Sequence, residues 1–165
     1  MGSSEIVLTN TDAAYLAGFI DGDGSIRPAF IKDMRRTFLW VLRIKISITQ
    51  RSADAAVLYW IKQLLKGGSI HKYANHCNQV EWTLEGTQQV AKILPQLIPY
   101  LRVKKQRAIL ALEILNIKDR HTNLSSFLAA SRLAKQMRLA NSREPQLEYI
   151  DNVVDEVKER LSVTP

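Results

Sequence analysis

Asp21 and Asp23 are the residues in this sequence whose spacing is best suited to metal chemistry. They alternate with Gly22 and Gly24 and directly follow the apolar run 16–20. The dipole of a helix disfavours carboxylates at its C-terminal end unless cations compensate, so this end suits a divalent metal. A calcium loop is excluded, because the sixth and twelfth positions counted from Asp21 are isoleucine and lysine rather than glycine and glutamate. A solvated turn is the remaining alternative for these four residues taken alone.

The segment before the two aspartates predicts a helix with one side of small residues. Residues 10–12 are Asn, Thr and Asp, which supply N-cap chemistry, and residues 13–20 have the apolar content of a buried helix. We expect Gly22 and Gly24 to end it in backbone conformations that other residues resist. Ala14 and Gly18 are four apart, and Ala17 is expected on the same side, so a second helix could approach closely there.

Length and charge indicate one globular domain and suggest a polyanionic partner. The chain has 165 residues, 46% of them hydrophobic, and a net charge of +7. No apolar run approaches the roughly 20 residues that span a membrane, so we expect no membrane partner. The lone Cys77 excludes an internal disulfide framework and a cysteine-based zinc site.

The periodicity predicts two hairpins among helices. Residues 37–49 alternate strictly between an apolar face and an increasingly polar one, which is typical of a strand, and residues 25–31 form the strand before it. A second hairpin is expected at 69–73 and 79–84. Helices are expected at 52–66, 87–101, 103–117, 124–140 and 145–161. We expect Gly67 and Gly68 to stop the first of these, and Pro95 and Pro99 to break the second. The fold class is therefore mixed α/β (α+β), a curved antiparallel sheet with helices on one face.

The uncovered face of that sheet is predicted to bind DNA in the major groove. Between residues 26 and 51 there are seven basic residues against the single acid Asp33. Arginine and lysine side chains suit guanine, whereas serine, asparagine and glutamine side chains suit adenine or phosphate. Arg35 and Arg36 lie in the turn and suit the DNA backbone. The predicted DNA-binding residues are Arg27, Lys32, Arg35, Arg36, Arg43, Lys45, Ser47, His71, Lys72, Tyr73, Asn75, Asn78 and Gln79. An ordinary solvated sheet face is the alternative.

The nine residues Leu16–Gly24 resemble, almost position for position, the motif that names the LAGLIDADG homing endonucleases. The resemblance implies an αββαββα core at about 9–117 and accessory C-terminal helices at about 118–161, within a single domain 6–165. Only one copy of the motif is present. Single-motif members of that family are homodimers whose motif helices pack together, which implies an interface at Ala14, Ala17 and Gly18.

The same resemblance implies three catalytic residues, Asp23, Gln50 and Lys104. Asp23 matches the metal-binding aspartate, and the carbonyl of Gly22 is expected to join it at the metal. Gln50 matches a residue that organises water, and Lys104 matches a lysine that polarises the site. Lys105 is the alternative if the register is shifted by one. Arg51 is a candidate for a second basic residue of the pocket, and Asp21 has no assigned role.

Three classes of function are left open by the sequence. The first is a homodimeric, site-specific endonuclease that cuts a long, roughly palindromic duplex DNA with Mg²⁺, or with Mn²⁺ or Ca²⁺ in the same site. The second is a catalytically silent DNA-binding regulator or RNA maturase of the same fold, and the third is a basic RNA-binding module. The resemblance implies an intracellular location, in a chloroplast or mitochondrion if an intron there encodes the chain.

Overall fold

A computed structural model describes residues 6–73, 78–140 and 147–163 of the chain. The elements follow in the order α1 (Asn10–Asp23), β1 (Gly24–Lys32), β2 (Trp40–Arg51), a 3₁₀ turn (Ser52–Asp54), α2 (Ala56–Leu64), β3 (Ser69–Lys72), β4 (Gln79–Leu84), α3 (Thr87–Leu97), α4 (Lys105–Asn116), α5 (Leu124–Leu139) and α6 (Glu148–Val163). The predicted order of helices and hairpins is therefore confirmed. The proline expected in the first turn of the last helix lies outside the described residues.

The four strands form one sheet in the order β1-β2-β4-β3. β2 and β4 are antiparallel with Ile48 opposite Trp82, and β3 runs antiparallel to β4 with His71 opposite Glu81. This register puts Ile46, Ile48, Val80, Trp82 and Leu84 on one face, where all five are buried. The alternate residues form the opposite face, which is polar, as the period of two predicts.

By contacts the chain divides into two compact units, which do not coincide with the predicted core and C-terminal part. The first comprises residues up to Ile26 together with Lys45–Ala108, and the second comprises Arg27–Ile44 together with the residues from Ile109 onward. In the second unit α5 and α6 pack on the tip of the β1–β2 hairpin, where Phe127 contacts Phe30 and Phe38. The single domain stays a prediction.

Helix α1 differs from its prediction at both ends. Its N-cap is Thr9, whose hydroxyl oxygen accepts from the Asp12 N–H, rather than a residue at 10–12. The helix continues through Gly22 to Asp23, and Gly24 follows at φ −101°, so the expectation of unusual glycine conformations is wrong here. Gly24 is needed for its size instead, because a Cβ there would lie 2.7 Å from the Ile20 Cα.

The expected side of small residues is also corrected. Ala14 and Gly18 are exposed on α1, whereas Ala17 is fully buried in the core beside Leu16 and Ile20. The reason is the helical period, which separates neighbouring residues by about 100°. Ala17 therefore packs within its own chain and is not available to a partner.

The strand predicted at 37–49 begins three residues later. The Asp33 N–H donates to the Leu39 carbonyl over 2.7 Å, and Leu39 adopts a left-handed conformation with φ 59°. Phe38 is buried within this turn rather than on a strand. The alternation of apolar residues thus extends over residues 37–39, although these residues form a turn and not a strand.

Helix α2 ends in a Schellman motif whose left-handed residue is Lys66 rather than a glycine. Lys66 has φ 47°, the Gly67 N–H donates to the Lys62 carbonyl, and the Lys66 N–H donates to the Gln63 carbonyl. Gly68 has φ 87°, and its Cα lies against the buried Trp82, whose indole N–H donates to the Gly67 carbonyl over 3.1 Å.

None of the helices in the described ranges is long and apolar enough to cross a membrane.

Replacing Gly68 by Ala is expected to destabilise the protein by about 1–3 kcal/mol. The new Cβ would lie 2.3 Å from the Trp82 Nε1 atom, in a backbone conformation that alanine disfavours. Gly67→Ala is the matched control, because its Cβ would meet only the flexible end of Gln89. Urea denaturation at a fixed protein concentration measures both variants. Equal midpoints for Gly68→Ala and wild type would contradict the packing argument.

Candidate active site

The carboxylate of Asp21 is bound by three consecutive backbone N–H groups. Its Oδ2 accepts from the N–H of Arg102 over 2.6 Å and of Val103 over 3.1 Å, and its Oδ1 accepts from the N–H of Lys104 over 2.8 Å. These N–H groups immediately precede α4, where the start of the helix favours negative charge. Asp21 thus joins the end of α1 to the start of α4.

Lys104 closes this connection from the other side. Its Nζ donates to the backbone carbonyl of Asp21 over 2.6 Å, one of the last carbonyls of α1, and the residue is buried. Lys105 is exposed. The structure therefore brings Lys104, and not the alternative Lys105, to the end of the motif.

The pKa values of both groups reflect this arrangement. Burial raises the pKa of the Asp21 carboxyl, but the three backbone N–H groups and the Lys104 charge lower it more, so its pKa lies below the ordinary value. Burial lowers the pKa of Lys104, and the Arg107 charge adds to this, while Asp21 and Asp23 act in the opposite direction.

Asp23 is the second carboxylate of the motif and has a different environment. Its Oδ2 accepts from the Nε2 of Gln50 over 2.7 Å, and the residue is exposed. Gln50 reaches it because residue 50 lies on the same face of β2 as Ile46 and Ile48, next to α1. Arg51 is exposed and alternates to the opposite face of β2, where it pairs with Gln79, and its place in the pocket stays a prediction.

The oxygen donors here fit part of a magnesium site. Mg²⁺ prefers oxygen ligands, keeps several waters, and is often held by one or two carboxylates with substrate phosphates. Asp23 offers one such carboxylate, and Gly22 lies in the last turn of α1, where carbonyls have no intrahelical partner. Within the described ranges, no group of three or more His, Cys, Asp or Glu side chains could hold a metal ion.

The predicted DNA-binding residues of the first unit lie largely on the polar face of its strands. Lys45, Ser47, His71 and Gln79 belong to that face by register, whereas Lys72 alternates to the other side of β3. Tyr73 and Asn78 follow and precede the strands of the second hairpin, and Asn75 lies outside the described residues.

The predicted DNA-binding residues of the second unit differ in how they are paired. Arg35 and Arg36 lie 3.0 and 3.7 Å from the Asp33 carboxylate in the exposed turn. Lys32 pairs with Glu156 of α6 over 2.5 Å, and the same carboxylate accepts from the Trp40 indole. Arg27 is exposed on β1 and Arg43 is half-buried on β2. The DNA contacts of all these residues stay predictions.

Sequence comparison identifies related proteins. The profile of the LAGLIDADG endonuclease family matches residues 16–116. The chain is 25% identical over 140 residues to DNA endonuclease I-CvuI of Chlorella vulgaris, covering 85% of this chain and 86% of the relative. It is 24% identical over 155 residues to DNA endonuclease I-CreI of Chlamydomonas reinhardtii, covering 92% of this chain and 93% of the relative.

Structure comparison finds the same fold. The crystal structure of I-CvuI in complex with its target in the presence of Ca matches with a TM-score of 0.82 at 24% identity, covering 92% of this chain and 95% of that one. I-CvuI with the I-CreI target in the presence of Mg, with the DNA not cleaved, matches at 0.78 and 22%, covering 90% and 95%. The archaeal intron-encoded homing endonuclease I-Vdi141I complexed with DNA matches at 0.79 and 20%, covering 93% and 98%.

Replacing Asp21 by Asn is expected to lower the free energy of unfolding at neutral pH by about 1–3 kcal/mol, because an amide cannot accept all three N–H groups as a carboxylate does. Folding lowers the pKa of Asp21, so its stabilisation is present above the ordinary value of 3.8 and is lost as the pH falls through the lower folded-state value. The difference between the two proteins should therefore shrink in acid.

Urea denaturation across the acidic range at one protein concentration measures this difference. Asp12→Asn is the matched control in the same helix, because the Asp12 carboxylate accepts from the neighbouring Thr9 hydroxyl rather than from backbone N–H groups of a distant segment. A pH-independent difference for Asp21→Asn, or an equal loss for both variants, would contradict the assigned role of Asp21.

Proposed function

The chain belongs to the LAGLIDADG endonuclease family, and we propose that it is a site-specific, double-strand DNA endonuclease that acts as a homodimer. The observation that carries the proposal is the grouping of Asp23, Gln50 and Lys104 at the end of α1. A DNA-binding protein without catalytic activity would need no carboxylate at this place. The DNA complexes of I-CvuI and I-Vdi141I support duplex DNA as the substrate.

Each chain would contribute the Asp23 carboxylate and the Gly22 carbonyl to a Mg²⁺ site. The presence of Ca or Mg in the I-CvuI complexes supports a divalent ion. When bound, such an ion lowers the pKa of water and stabilises charge on the attacking and leaving oxygens of a phosphodiester. The scissile phosphate would complete the ligand set, as is usual for Mg²⁺.

The neighbouring residues have roles that follow from their contacts. Gln50 uses its Nε2 to hold one oxygen of Asp23, which fixes the carboxylate and leaves the Gln50 Oε1 to accept from a water. The Lys104 Nζ is held by the Asp21 carbonyl, and the Lys104 N–H is bound by the Asp21 carboxylate. We call the binding of residues 102–104 by this carboxylate the Asp21 clamp, and it orients Lys104. Its Nζ would stabilise negative charge that develops on the phosphate.

The exposed side of α1 supports association with a second copy. A Cβ at Gly18 would meet no atom within 4 Å, so space is open beside this part of the helix. Tyr15 stacks on Phe19 with ring centroids 6.0 Å apart and meets Trp60 edge-on at 5.5 Å. Tyr15 and Trp60 are nevertheless 53% and 37% exposed, which is apolar surface that a partner would cover. A two-fold axis that runs parallel to α1 and between the two copies would bring the two Asp23 carboxylates together.

Replacing Asp23 by Asn is expected to reduce cleavage by on the order of 100-fold or more while DNA binding is retained. The amide keeps the size of the side chain and the acceptor for Gln50 but removes the charge. The assay incubates the protein with a plasmid library carrying a randomised duplex segment, in Mg²⁺ or in EDTA, and sequences the cut ends. Asp12→Asn again serves as control and should cut normally.

Cleavage by Asp23→Asn at the wild-type rate would refute the metal site. Absence of any cut sequence with the wild-type protein in Mg²⁺ would refute the endonuclease itself.

Replacing Gly18 by Glu is expected to convert the dimer to a monomer without unfolding it. The new side chain enters open space in its own chain, but two copies would place like charges at a close helix contact. Sedimentation velocity gives the mass, and circular dichroism the helix content. Gln88→Glu on the exposed side of α3 adds the same charge elsewhere and should leave the dimer intact. A dimeric Gly18→Glu protein would show that α1 is not the interface.

A further inference from the structure

Glu81 is an acid in the middle of a face that is expected to bind a polyanion. It follows Gln79 and precedes Thr83 on β4, opposite Thr49 of β2 and His71 of β3. The residue is 9% exposed, so neighbouring side chains cover most of it. Burial raises the pKa of Glu81, but the hydrogen bond from Tyr73 and the charges and hydroxyls around it lower the pKa more, so the carboxylate is charged at neutral pH.

Tyr73 and Lys45 both lie against this carboxylate on the polar face. The Tyr73 hydroxyl donates to the Glu81 Oε2 over 2.8 Å. The Lys45 Nζ lies 3.8 Å from the same oxygen and 3.8 Å from the Glu85 Oε1. One oxygen atom, the Glu81 Oε2, thus connects Tyr73, Glu81 and Lys45. We call these three residues the Glu81 cluster.

Lys45 lies along the sheet rather than extending away from it. The register that pairs Ile46 with Leu84 makes Glu85 the neighbour of Lys45 across the strands, whereas Glu81 is four residues further along β4. The Lys45 side chain must therefore follow the strand direction to bring its ammonium near Glu81, and only 16% of it is exposed. A lysine without such anchors would be free to reach phosphates.

We propose that Glu81 positions Lys45 at a guanine edge and itself accepts from the N4 amino group of the paired cytosine, so that the Glu81 cluster selects one G·C pair in each half of the DNA target. This inference rests on the proposed function. It assigns a role in specificity to an acid on the polar face of the sheet.

The chemistry of the pair favours a base over a phosphate. Carboxylates on two sides of the Lys45 ammonium repel phosphate oxygens, whereas the base edges in the major groove are uncharged. Guanine offers the acceptors N7 and O6 to lysine, and cytosine offers the N4 amino group, which a carboxylate accepts. In a G·C pair the guanine O6 and cytosine N4 are hydrogen-bonded and so about 3 Å apart. The 3.8 Å separation of Lys45 and Glu81 matches this arrangement of acceptor and donor.

The test measures base preference, which a purely structural role would not change. The target is first determined with the randomised plasmid library and wild-type protein, and every single base-pair variant of it is then cut competitively. Lys45→Ala should abolish a G·C preference at one position of each half-site. Glu81→Gln, which has the same shape but no charge, should reduce that preference about tenfold and leave the other positions unchanged. Tyr73→Phe should reduce it in the same direction and by less.

Glu113→Gln on the exposed surface of α4 is the matched control and should leave the whole profile unchanged. Thermal melting shows whether each variant is folded. Uniform loss of cutting on all targets in Glu81→Gln would overturn the proposal, as would an unchanged profile. It would also be overturned if the position that the two variants affect prefers A·T in the wild-type protein. A change in Glu81→Gln at a position that Lys45→Ala does not affect would also overturn it. Failure of the proposed function differs from all of these, because wild type would then yield no cut target.

Discussion

The arrangement of the candidate active site depends on one interaction, the binding of the Asp21 carboxylate by the backbone N–H groups of residues 102–104. A carboxylate at the end of α1 is unfavourable with respect to that helix, whose C-terminus carries partial negative charge. The same carboxylate is favourable at the start of α4, where N–H groups have no intrahelical partner. One charge thus satisfies the N–H groups at the start of a second helix, and it fixes the position of Lys104 immediately before that helix. Because Lys104 in turn donates to the Asp21 carbonyl, the two segments are fixed in both directions.

The two acids of the motif have separate roles because their surroundings differ. The Asp21 carboxylate accepts from three backbone N–H groups, which are part of the fold, so it is a structural anion. Asp23 is two residues further, exposed, and held through one oxygen by Gln50. A side-chain amide orients a carboxylate without neutralising it, which leaves its charge for a cation. Gly22 lies between them and has no side chain, so it leaves space at the point where a metal and a phosphate would meet.

The sequence predicted the elements better than it predicted their ends and contacts. Strand alternation identified β2 and β4, and it also places Glu81 with Gln79 and Thr83, so this acid could have been recognised on the polar face from the sequence. Asp21 could not, because its partners are more than 80 residues away and are backbone groups that no side-chain pattern reveals. The left-handed Leu39 and Lys66 were missed for a similar reason, since both residue types usually avoid that conformation. A spacing of three or four residues does not by itself place Ala17 on the side of Gly18, because neighbouring residues lie about 100° apart around a helix.

In the proposed dimer, association and assembly of the active site would be one event. Helix α1 carries the exposed Ala14 and Gly18 along its length and Asp21 and Asp23 at its end. Each chain offers the exposed carboxylate of Asp23 to a metal, and Mg²⁺ is often held by one or two carboxylates together with substrate phosphates. A second copy packed along α1 would supply the other carboxylate at a distance set by the small residues of the helix. The rigid connection of α1 to residues 102–104 then has a further consequence, because any shift at the interface would move Asp23 and Lys104 together. Small residues at the interface and the Asp21 clamp therefore serve the same requirement, which is a fixed distance between two metal-binding carboxylates.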